Sequence, residues 1–334
     1  MSIQDGRIFF LGAGFSAGGG VPLTNTLLPK ASEFFKWEAE GLFERVADYA
    51  NQVDVNLNGS PDAEDFARLC THLEFVELRE HAGGERWSSA GCREKVALKF
   101  FLSKAIAQST PYDQDIPQQY IKFAQALTSD DTVVTFNWDL LLERAINLVG
   151  KQYSYNWEDG KIQITKLHGS INWINNEPRS YGTNRRNFEY VPIGLKTDMI
   201  DNEVYHSRLL EQKSNWWNVS PLLGEVRPLI VLPGFGKAYD VRTLSTLWYK
   251  IEFLNIHQGG VSIIGLNVSQ DDFIMESLFR YLFRGIFSDD RSVRILNPDQ
   301  NAYSRFDSFC DGLKLDFKCE RFDSDTLTFA LHTD

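Results

Sequence analysis

The sequence predicts an α/β fold: a Rossmann-like parallel sheet with helices on both faces and a large helical insertion after the first strand. Three observations support this fold class. Short β-rich runs alternate with stretches of helical periodicity, most of the runs are apolar on both faces, and a glycine-rich turn follows the first run. The predicted strands are Ile8–Leu11, Thr132–Phe136, Ile162–Leu167, Pro228–Leu232, Val261–Leu266 and Val293–Leu296.

The first predicted strand leads into the segment GAGFSAGGGVP, which runs from Gly12 to Pro22. Gly12, Gly14 and Ala17 fit the pattern G-x-G-x-x-G/A between an apolar strand and a helix. The first glycine would allow a tight turn and the second a close approach to a pyrophosphate, to which the start of the helix would offer N–H groups. Two glycines in this place are equally compatible with a βα turn that binds nothing.

Helical periodicity dominates the next hundred residues, so we expect a helical insertion at about 25–128. Its clearest segments are Asp62–Arg79, Arg93–Gln108 and Gln118–Leu127. A segment at about 175–225 has weak periodicity and is rich in Asn, Arg and Tyr, which predicts loops with short elements. We predict one domain over residues 1–334.

Polar residues or glycine follow the later predicted strands. Ligands of open parallel sheets bind at the carboxyl ends of the strands, so we expect these residues to share a site. A single histidine is more often structural, but a position at a strand end beside similar polar residues favours a functional role. The strand-end residues are Asn137, Asp139, His168, Gly265, Asn267, Asp272 and Asn297.

Composition and charge exclude several classes of protein. With 43% hydrophobic and 24% charged residues the chain is expected to be globular, and its net charge of −11 argues against nucleic-acid or anionic-membrane binding. There is no apolar segment of about 18 residues and no secretion signal at the N-terminus, so we expect no membrane association and a cytoplasmic location. The four cysteines include no Cys-x-x-Cys pair, and no metal is expected.

Five segments, GAGFSAGGGVP, TFNWD, LHGS, IIGLNVSQDD and ILNP, resemble in this order the sirtuin-like (silent information regulator) family. They are similar to its bacterial defence branch rather than to its protein deacetylases. The resemblance covers residues 7 to 300 in outline. It implies a Rossmann-like domain that binds NAD+ across the strand ends and breaks the bond between nicotinamide and ribose.

Carried over residue by residue, the resemblance implies roles for each segment. Asn137 would orient the ribose or the attacking water, Asp139 would support the nicotinamide pocket, and His168 would be the general base. The residues near the pyrophosphate and the nicotinamide ribose would be Gly12, Ala13, Gly14, Phe15 and Ser16. Those near the adenosine half would be Gly265, Asn267 and Asp272 at the ribose and Asn297 at the adenine.

The sequence departs from the deacetylases in two places. They carry a Pro-x-Phe-Arg element after the glycine loop and a four-cysteine zinc module after the histidine. Here Leu-Thr-Asn-Thr follows Pro22, and residues 172–227 contain no cysteine. Because the zinc module helps to form the peptide cleft, water is favoured over acetyl-lysine as the acceptor. The sequence therefore predicts an NAD+ hydrolase (NAD glycohydrolase), acting as the NAD-depleting effector of an anti-phage defence system.

Three alternatives stay open. An ADP-ribosyltransferase or protein deacylase would use the same Asn137 and His168 with another acceptor. A sensor subunit would bind NAD+ or ADP-ribose without turnover, and an assembly subunit would do neither. The resemblance also implies that a lethal NADase is restrained by a separate sensor subunit, such as a HerA-like ATPase, or by the state of a homo-oligomer.

Overall fold

A computed structural model describes residues 6–81, 93–175, 198–200, 204–217, 228–234, 242–251, 260–269, 272–284, 292–309 and 313–333. Within these ranges the chain forms a seven-stranded parallel sheet flanked by helices and a four-stranded antiparallel sheet, which confirms the predicted fold class. The described strands are, in chain order, β1 (Ile8–Leu11), β2 (Thr132–Thr135), β3 (Tyr153–Ser154), β4 (Ile162–Lys166), β5 (Gly169–Asn175), β6 (Asp198–Met199), β7 (Val204–His206), β8 (Pro228–Ile230), β9 (Val261–Ile264), β10 (Ser292–Leu296) and β11 (Lys314–Lys318).

Helices connect the strands of the parallel sheet at most positions, and one further helix follows its last strand. None of those in the described ranges is both long and apolar enough to cross a membrane. They are α1 (Ala13–Ala17), α2 (Thr24–Glu38), α3 (Glu40–Asn51), α4 (Ala63–His81), α5 (Arg93–Ser109), α6 (Gln118–Ala126), α7 (Leu141–Leu148), α8 (Arg242–Ile251), α9 (Phe273–Arg284), α10 (Gln300–Phe309) and α11 (Leu327–Leu331).

The parallel sheet has the strand order β11-β10-β9-β1-β2-β4-β3, with β1 at its centre. Leu11, the last residue of β1, pairs with Ile264 of β9 on one side and with Thr135 of β2 on the other. These three strands therefore end at the same level, and the residues that follow them meet at one edge of the sheet.

Five helices, α2 to α6, lie between β1 and β2 as the sequence predicts. Phe35 of α2 stacks on Phe101 of α5 with ring centroids 4.4 Å apart, and the buried ammonium of Lys104 on α5 pairs with the Glu38 carboxylate at 2.7 Å. The amphipathic faces of these helices thus pack on each other as well as on the sheet. The division of the chain into one domain with this insertion stays a prediction.

One predicted strand belongs to the other sheet. Pro228–Ile230 (β8) does not extend the parallel sheet but pairs antiparallel with β5, in the strand order β6-β7-β5-β8. The turn at Gly169, with φ of +78°, carries the chain from β4 directly into β5. A short apolar run contains no information on strand direction, so the sequence alone could not separate this strand from the parallel ones.

Only part of the segment predicted as loops lies in the described residues. There the chain forms β6, β7 and two short 3₁₀ helices, Arg208–Glu211 and Lys213–Trp217, and the loop-rich character of the whole segment stays a prediction. Residues 176–197, 201–203 and 218–227 lie outside the described residues.

The amino edge of the sheet is held by Arg7. Its guanidinium donates hydrogen bonds to both carboxylate oxygens of Asp131, which is 2% exposed, at 2.7 and 3.0 Å. It also donates to the carbonyl oxygens of Ala126 and Leu331. The starts of β1 and β2 are thereby tied to α6 and α11, on the edge opposite to the one where the glycine loop begins.

At the carboxyl edge, three glycines bring two chain segments into backbone contact. The Gly14 N–H donates to the Gly265 carbonyl oxygen at 2.9 Å. A Cβ on Gly12 would lie 2.4 Å from Leu266 Cα, and one on Gly265, whose φ is +59°, would lie 2.3 Å from Gly14 C and Phe15 N. Because backbone atoms cannot yield as a flexible side chain can, each position requires glycine.

We expect Gly265→Ala to lower the free energy of unfolding by about 2–5 kcal/mol. This sums roughly 1–2 kcal/mol for a left-handed L-residue and about 1–3 kcal/mol for overpacking. Denaturant unfolding measures it. The matched control is Gly150→Ala, because Gly150 also has a positive φ, +73°, but a Cβ at that position would have no neighbouring atom within 4 Å. Equal losses in the two variants would contradict the contact between the glycine segments.

Candidate functional site

A cavity of about 620 Å³ opens at the carboxyl edge of the parallel sheet. Its lining includes the chain that follows β1, β2, β4, β9 and β10. It also includes an apolar wall from the helical insertion and from the residues just after β8, namely Leu27, Phe66, Ile106, Val231 and Leu232. This volume lies within the range of small-molecule and cofactor sites.

The cavity brings together ten of the twelve residues that the sequence singles out. They come from five separate strand ends, which the fold brings to one cavity, while their roles in a binding site stay a prediction. The ten are Gly12, Ala13, Gly14, Asn137, Asp139, His168, Gly265, Asn267, Asp272 and Asn297.

Phe15 and Ser16 are not among the residues that line the cavity. The Phe15 ring is 1% exposed and packs in the core against Phe322, Tyr120 and Phe123, with centroids 4.7 to 5.3 Å apart. Both residues lie within α1, where the helix directs their side chains inward. Neither can line a pyrophosphate with its side chain in this arrangement.

The amides of the glycine loop are mostly engaged within the protein. Gly12 donates to Ile264, Gly14 to Gly265 and Phe15 back to Gly12, at 2.9 to 3.0 Å. The sequence suggests that such amides would face a pyrophosphate. In this structure the amides of Gly12 and Gly14 instead bind the loop to the end of β9, and the amide of Phe15 forms a hydrogen bond within the loop.

Asn137 connects the end of β2 to the glycine loop. Its side-chain Nδ2 donates to the Gly12 carbonyl oxygen at 2.8 Å and to the Ser16 hydroxyl at 3.3 Å. Its own N–H donates to the Thr135 hydroxyl at 3.1 Å. Because the amide N–H groups are used in this way, the carbonyl oxygen is the part of this half-buried side chain that can accept a hydrogen bond from a ligand.

His168 lies between β4 and β5, half-buried on the cavity wall. Its ring meets the Phe136 ring edge to face at 5.3 Å, and its carbonyl oxygen accepts the Val231 N–H at 2.9 Å. The next residue must be glycine, since a Cβ on Gly169 would lie 2.0 Å from the Leu229 carbonyl oxygen. The ring contact with Phe136 and the main-chain hydrogen bond from Val231 thus place His168 at the cavity.

Asp139 is a carboxylic acid that is 6% exposed yet lines the cavity. Burial raises the pKa of Asp139 above its usual value, and the nearby Lys166 ammonium and the Leu141 N–H partly oppose this increase. The Leu141 N–H donates to Oδ1 at 2.9 Å, and the nearby Ser16 hydroxyl also lowers the pKa of this carboxyl group. Ser16 accepts the Asn137 side-chain amide at 3.3 Å and therefore lies between Asn137 and Asp139.

A second polar group follows β9 and β10. The Asn297 side chain is 5% exposed and donates to the Leu266 carbonyl oxygen at 2.8 Å, while its own oxygen accepts the Asp299 N–H. The exposed Asn267 amide donates to the Asp299 carboxylate at 3.0 Å. Asp272 lies at the start of α9 and accepts the Met275 N–H at 3.3 Å. The hydrogen bonds of Asn297 and Asn267 thus connect the chain after β9 to the chain after β10.

The polar lining of the cavity is rich in hydrogen-bond acceptors. It includes the carboxylates of Asp139, Asp272 and Asp299, whereas none of the described lining residues is Lys or Arg. Acceptors of this kind suit ligand groups that donate hydrogen bonds, such as ribose hydroxyls, or that carry positive charge. In the ranges that the structure describes, no three His, Cys, Asp or Glu side chains are grouped so as to hold a metal ion.

Sequence reasoning missed three kinds of residue at this site. Phe66 and Ile106 have no sequence signal, because an apolar residue that lines a cavity has the same helical periodicity as one in the core. Asp299 follows the predicted strand end at Asn297, and its position along the chain is a signal of the same kind. Lys166 is a charged residue at the end of a buried strand, which is itself a signal that it has a specific partner.

Comparisons with known proteins give no family assignment. No protein-family model matches the chain, and no curated protein matches it. Among solved structures it is similar to a Sir2 homologue in complex with NAD, at 14% identity and a TM-score of 0.42, covering 99% of this chain and 89% of that one. A structure that concerns the basis of sirtuin substrate affinity has 13% identity and a TM-score of 0.41, with 99% of this chain and 93% of that one covered. A Sir2 protein bound to a propionylated peptide has 12% identity and a TM-score of 0.40, with 99% of this chain and 92% of that one covered. No residue is assigned a role from similarities this low.

We expect Asp139→Asn to raise the free energy of unfolding at pH 8, with a smaller gain at low pH. Because its pKa is raised on folding, wild-type Asp139 holds its proton more strongly in the folded state, so its ionisation lowers stability as pH rises above the unfolded value. Asparagine keeps an oxygen for the Leu141 N–H but does not ionise.

Denaturant unfolding at several pH values measures this difference. Asp325→Asn, which changes an exposed carboxylate, is the matched control and should alter stability little. A loss of stability in Asp139→Asn that is independent of pH would show that the carboxylate is not penalised by burial.

Proposed function

We propose that this chain is an NAD+ hydrolase, which cleaves NAD+ to nicotinamide and ADP-ribose. The observation that carries the proposal is the convergence of Asn137, His168 and the glycine loop on one cavity that also includes the ends of β9 and β10. These are the segments whose sequences resemble the sirtuin-like family. The acceptor-rich lining is consistent with a ligand that has two riboses and a cationic ring.

The chemistry requires few groups. The bond between ribose C1′ and the nicotinamide nitrogen breaks, its electron pair neutralises the pyridinium ring, and a water oxygen bonds to C1′ while its proton passes to a base. We assign the base to His168, because histidine as a residue type has an unperturbed pKa near neutrality. Asn137 offers a carbonyl oxygen that can accept a hydrogen bond from the water or from a ribose hydroxyl.

The nicotinamide half and the adenosine half of the substrate would contact different residues of the cavity lining. Asp139, which lines the cavity together with His168, would support the nicotinamide ring. Gly265, Asn267 and Asp272 would contact the adenosine ribose, and Asn297 the adenine. The apolar wall from the insertion would exclude bulk water from the reacting bond, which strengthens the polar contacts inside.

We expect Asn137→Ala and His168→Ala to remain folded and to lose nicotinamide release. Removing a general base typically lowers the rate by about 10²–10⁴-fold. Purified protein is incubated with NAD+ and nicotinamide is quantified by chromatography, with unfolding curves to verify the fold. His72→Ala is the matched control, because His72 lies on α4 and does not line the cavity.

The products separate the remaining functions. ADP-ribose in the absence of any peptide supports hydrolysis, whereas turnover that depends on an acylated peptide would identify a deacylase, and ADP-ribose attached to protein a transferase. Binding of NAD+ without turnover by wild-type protein would identify a sensor. A His168→Ala variant that retains the wild-type rate would remove His168 from the mechanism.

The biological setting belongs to the same proposal and is supported by the sequence resemblance alone. We propose that the chain acts in the bacterial cytoplasm, where it depletes NAD+ during phage infection, as a homo-oligomer or together with a HerA-like ATPase. Assaying the chain alone and with the product of its genomic neighbour tests the partner. Release of nicotinamide that is unaffected by the neighbour would contradict control by that subunit.

A further inference from the structure

Beside the cavity lies a group of three buried charged residues, Asp139, Glu143 and Lys166, of which only Asp139 is a predicted site residue. Lys166, the last residue of β4, is 1% exposed, and its ammonium donates to the Glu143 carboxylate at 2.9 Å. The same ammonium donates to the main-chain carbonyl oxygen of Asp139 at 2.6 Å. Glu143, on α7, also accepts the hydroxyl of buried Tyr155 at 3.0 Å.

The side chain of Asp139 is bound differently from that of Glu143. Its carboxylate accepts a hydrogen bond from the Leu141 N–H, and the Ser16 hydroxyl near it is also a neutral group. Lys166 forms a direct ion pair with Glu143, whereas it contacts Asp139 through the main-chain carbonyl oxygen of that residue. When both carboxylates are ionised, one ammonium thus faces two negative charges, and the charge left over is on the residue that lines the cavity.

We propose that Lys166 and Glu143 are positioning residues that hold Asp139 at the cavity as a carboxylate with an uncompensated charge, complementary to a cationic aromatic ring. The inference rests on the proposed function in that nicotinamide supplies such a ring. Lys166 fixes the Asp139 main chain and limits the electrostatic penalty of its ionisation. Glu143 engages the ammonium, so that the negative charge of Asp139 is available to the ligand.

Among the described residues, the two tyrosines close to Asp139 and Glu143 do not supply a compensating charge. Burial raises the pKa of the Tyr120 phenol on α6, and the nearby Asp139 charge raises it further. The Tyr120 hydroxyl donates to the Phe15 carbonyl oxygen. Tyr155, behind Glu143, also has a raised pKa because it is buried beside that carboxylate. Both tyrosines are neutral at physiological pH, so in the part of the chain that the structure describes it is the charges of Lys166 and Glu143 that act on Asp139.

The two partners act on the pKa of Asp139 in opposite directions, which gives a sharp test. The Asp139 carboxyl carbon is followed by ¹³C NMR titration in protein with labelled aspartate and is assigned by its absence in Asp139→Asn. Lys166→Met should move the Asp139 titration to higher pH, since a stabilising positive charge is lost. Glu143→Gln should move it to lower pH, since a repelling charge is lost while both hydrogen bonds to its side-chain oxygen are kept.

A binding measurement then tests the complementarity. In the His168→Ala background, which should not turn over, calorimetry gives the Kd of NAD+, with its cationic ring, and of NADH, with a neutral ring. The preference for NAD+ should fall on Asp139→Asn substitution. It should also fall in Lys166→Met at neutral pH and return toward the starting ratio at higher pH.

The outcomes separate this inference from the proposed function. Opposite shifts in the two variants, with loss of the NAD+ preference, support it. Shifts in the same direction, no shift, or an unchanged preference in Asp139→Asn overturn it; should Lys166→Met not fold, the downward shift in Glu143→Gln decides. Correct shifts in a protein that binds NAD+ but never releases nicotinamide would refute the hydrolase and leave the charge arrangement standing.

Discussion

The backbone contact between the glycine loop and the end of β9 is the constraint on which the rest of the site depends. Gly12 and Gly14 approach Gly265 and Leu266 so closely that no side chain fits at these glycines. The contact draws the turn after β1 against the turn after β9. Because β1 is central in the sheet, the ends of β2, β4 and β10 are arranged around this junction.

The junction also explains how polar side chains are distributed. Asn137 donates to the Gly12 carbonyl oxygen and Asn297 to the Leu266 carbonyl oxygen, so each asparagine satisfies a main-chain acceptor beside the close contact. Both are bound to the backbone through Nδ2. The side-chain NH2 groups of these residues therefore stabilise the backbone. Their side-chain oxygens can accept hydrogen bonds from a ligand in the cavity or from the neighbouring turn.

Much of the fold could be predicted from the sequence, because local signals determine it. Apolar runs such as Val261–Ile264 and helical segments such as Gln118–Ala126 are found where periodicity and proline predict them. The direction of β8 could not be predicted, since it depends on the turn at Gly169 and on pairing with β5. Strand pairing over long separations has no local signature.

The candidate site could be predicted only in part, for a related reason. Strand-end residues such as Asn137 and His168 are recognisable by their position along the chain. Phe15 belongs to the same glycine-rich segment, but it lies in α1 and its side chain is buried in the core. The pattern G-x-G-x-x-A does not indicate in which direction this side chain points. The apolar wall of the cavity comes from Phe66 and Ile106 in the insertion, and only the tertiary fold brings them to the sheet edge.

Whether the glycine segment is a turn or part of a binding site is a question that its neighbours answer better than its glycines. The backbone contact alone requires glycine, and a turn with no ligand would contain it too. A turn does not require a buried acid: asparagine at position 139 would accept the same Leu141 N–H without a charge that burial penalises. Buried Lys166 on β4 and buried Glu143 on α7 lie beside this acid. Apolar residues in their place would pack without the cost of removing two charges from water. Charged residues kept in so unfavourable a place, facing a cavity beside a histidine, favour a site that acts on a ligand over a turn that only connects two elements.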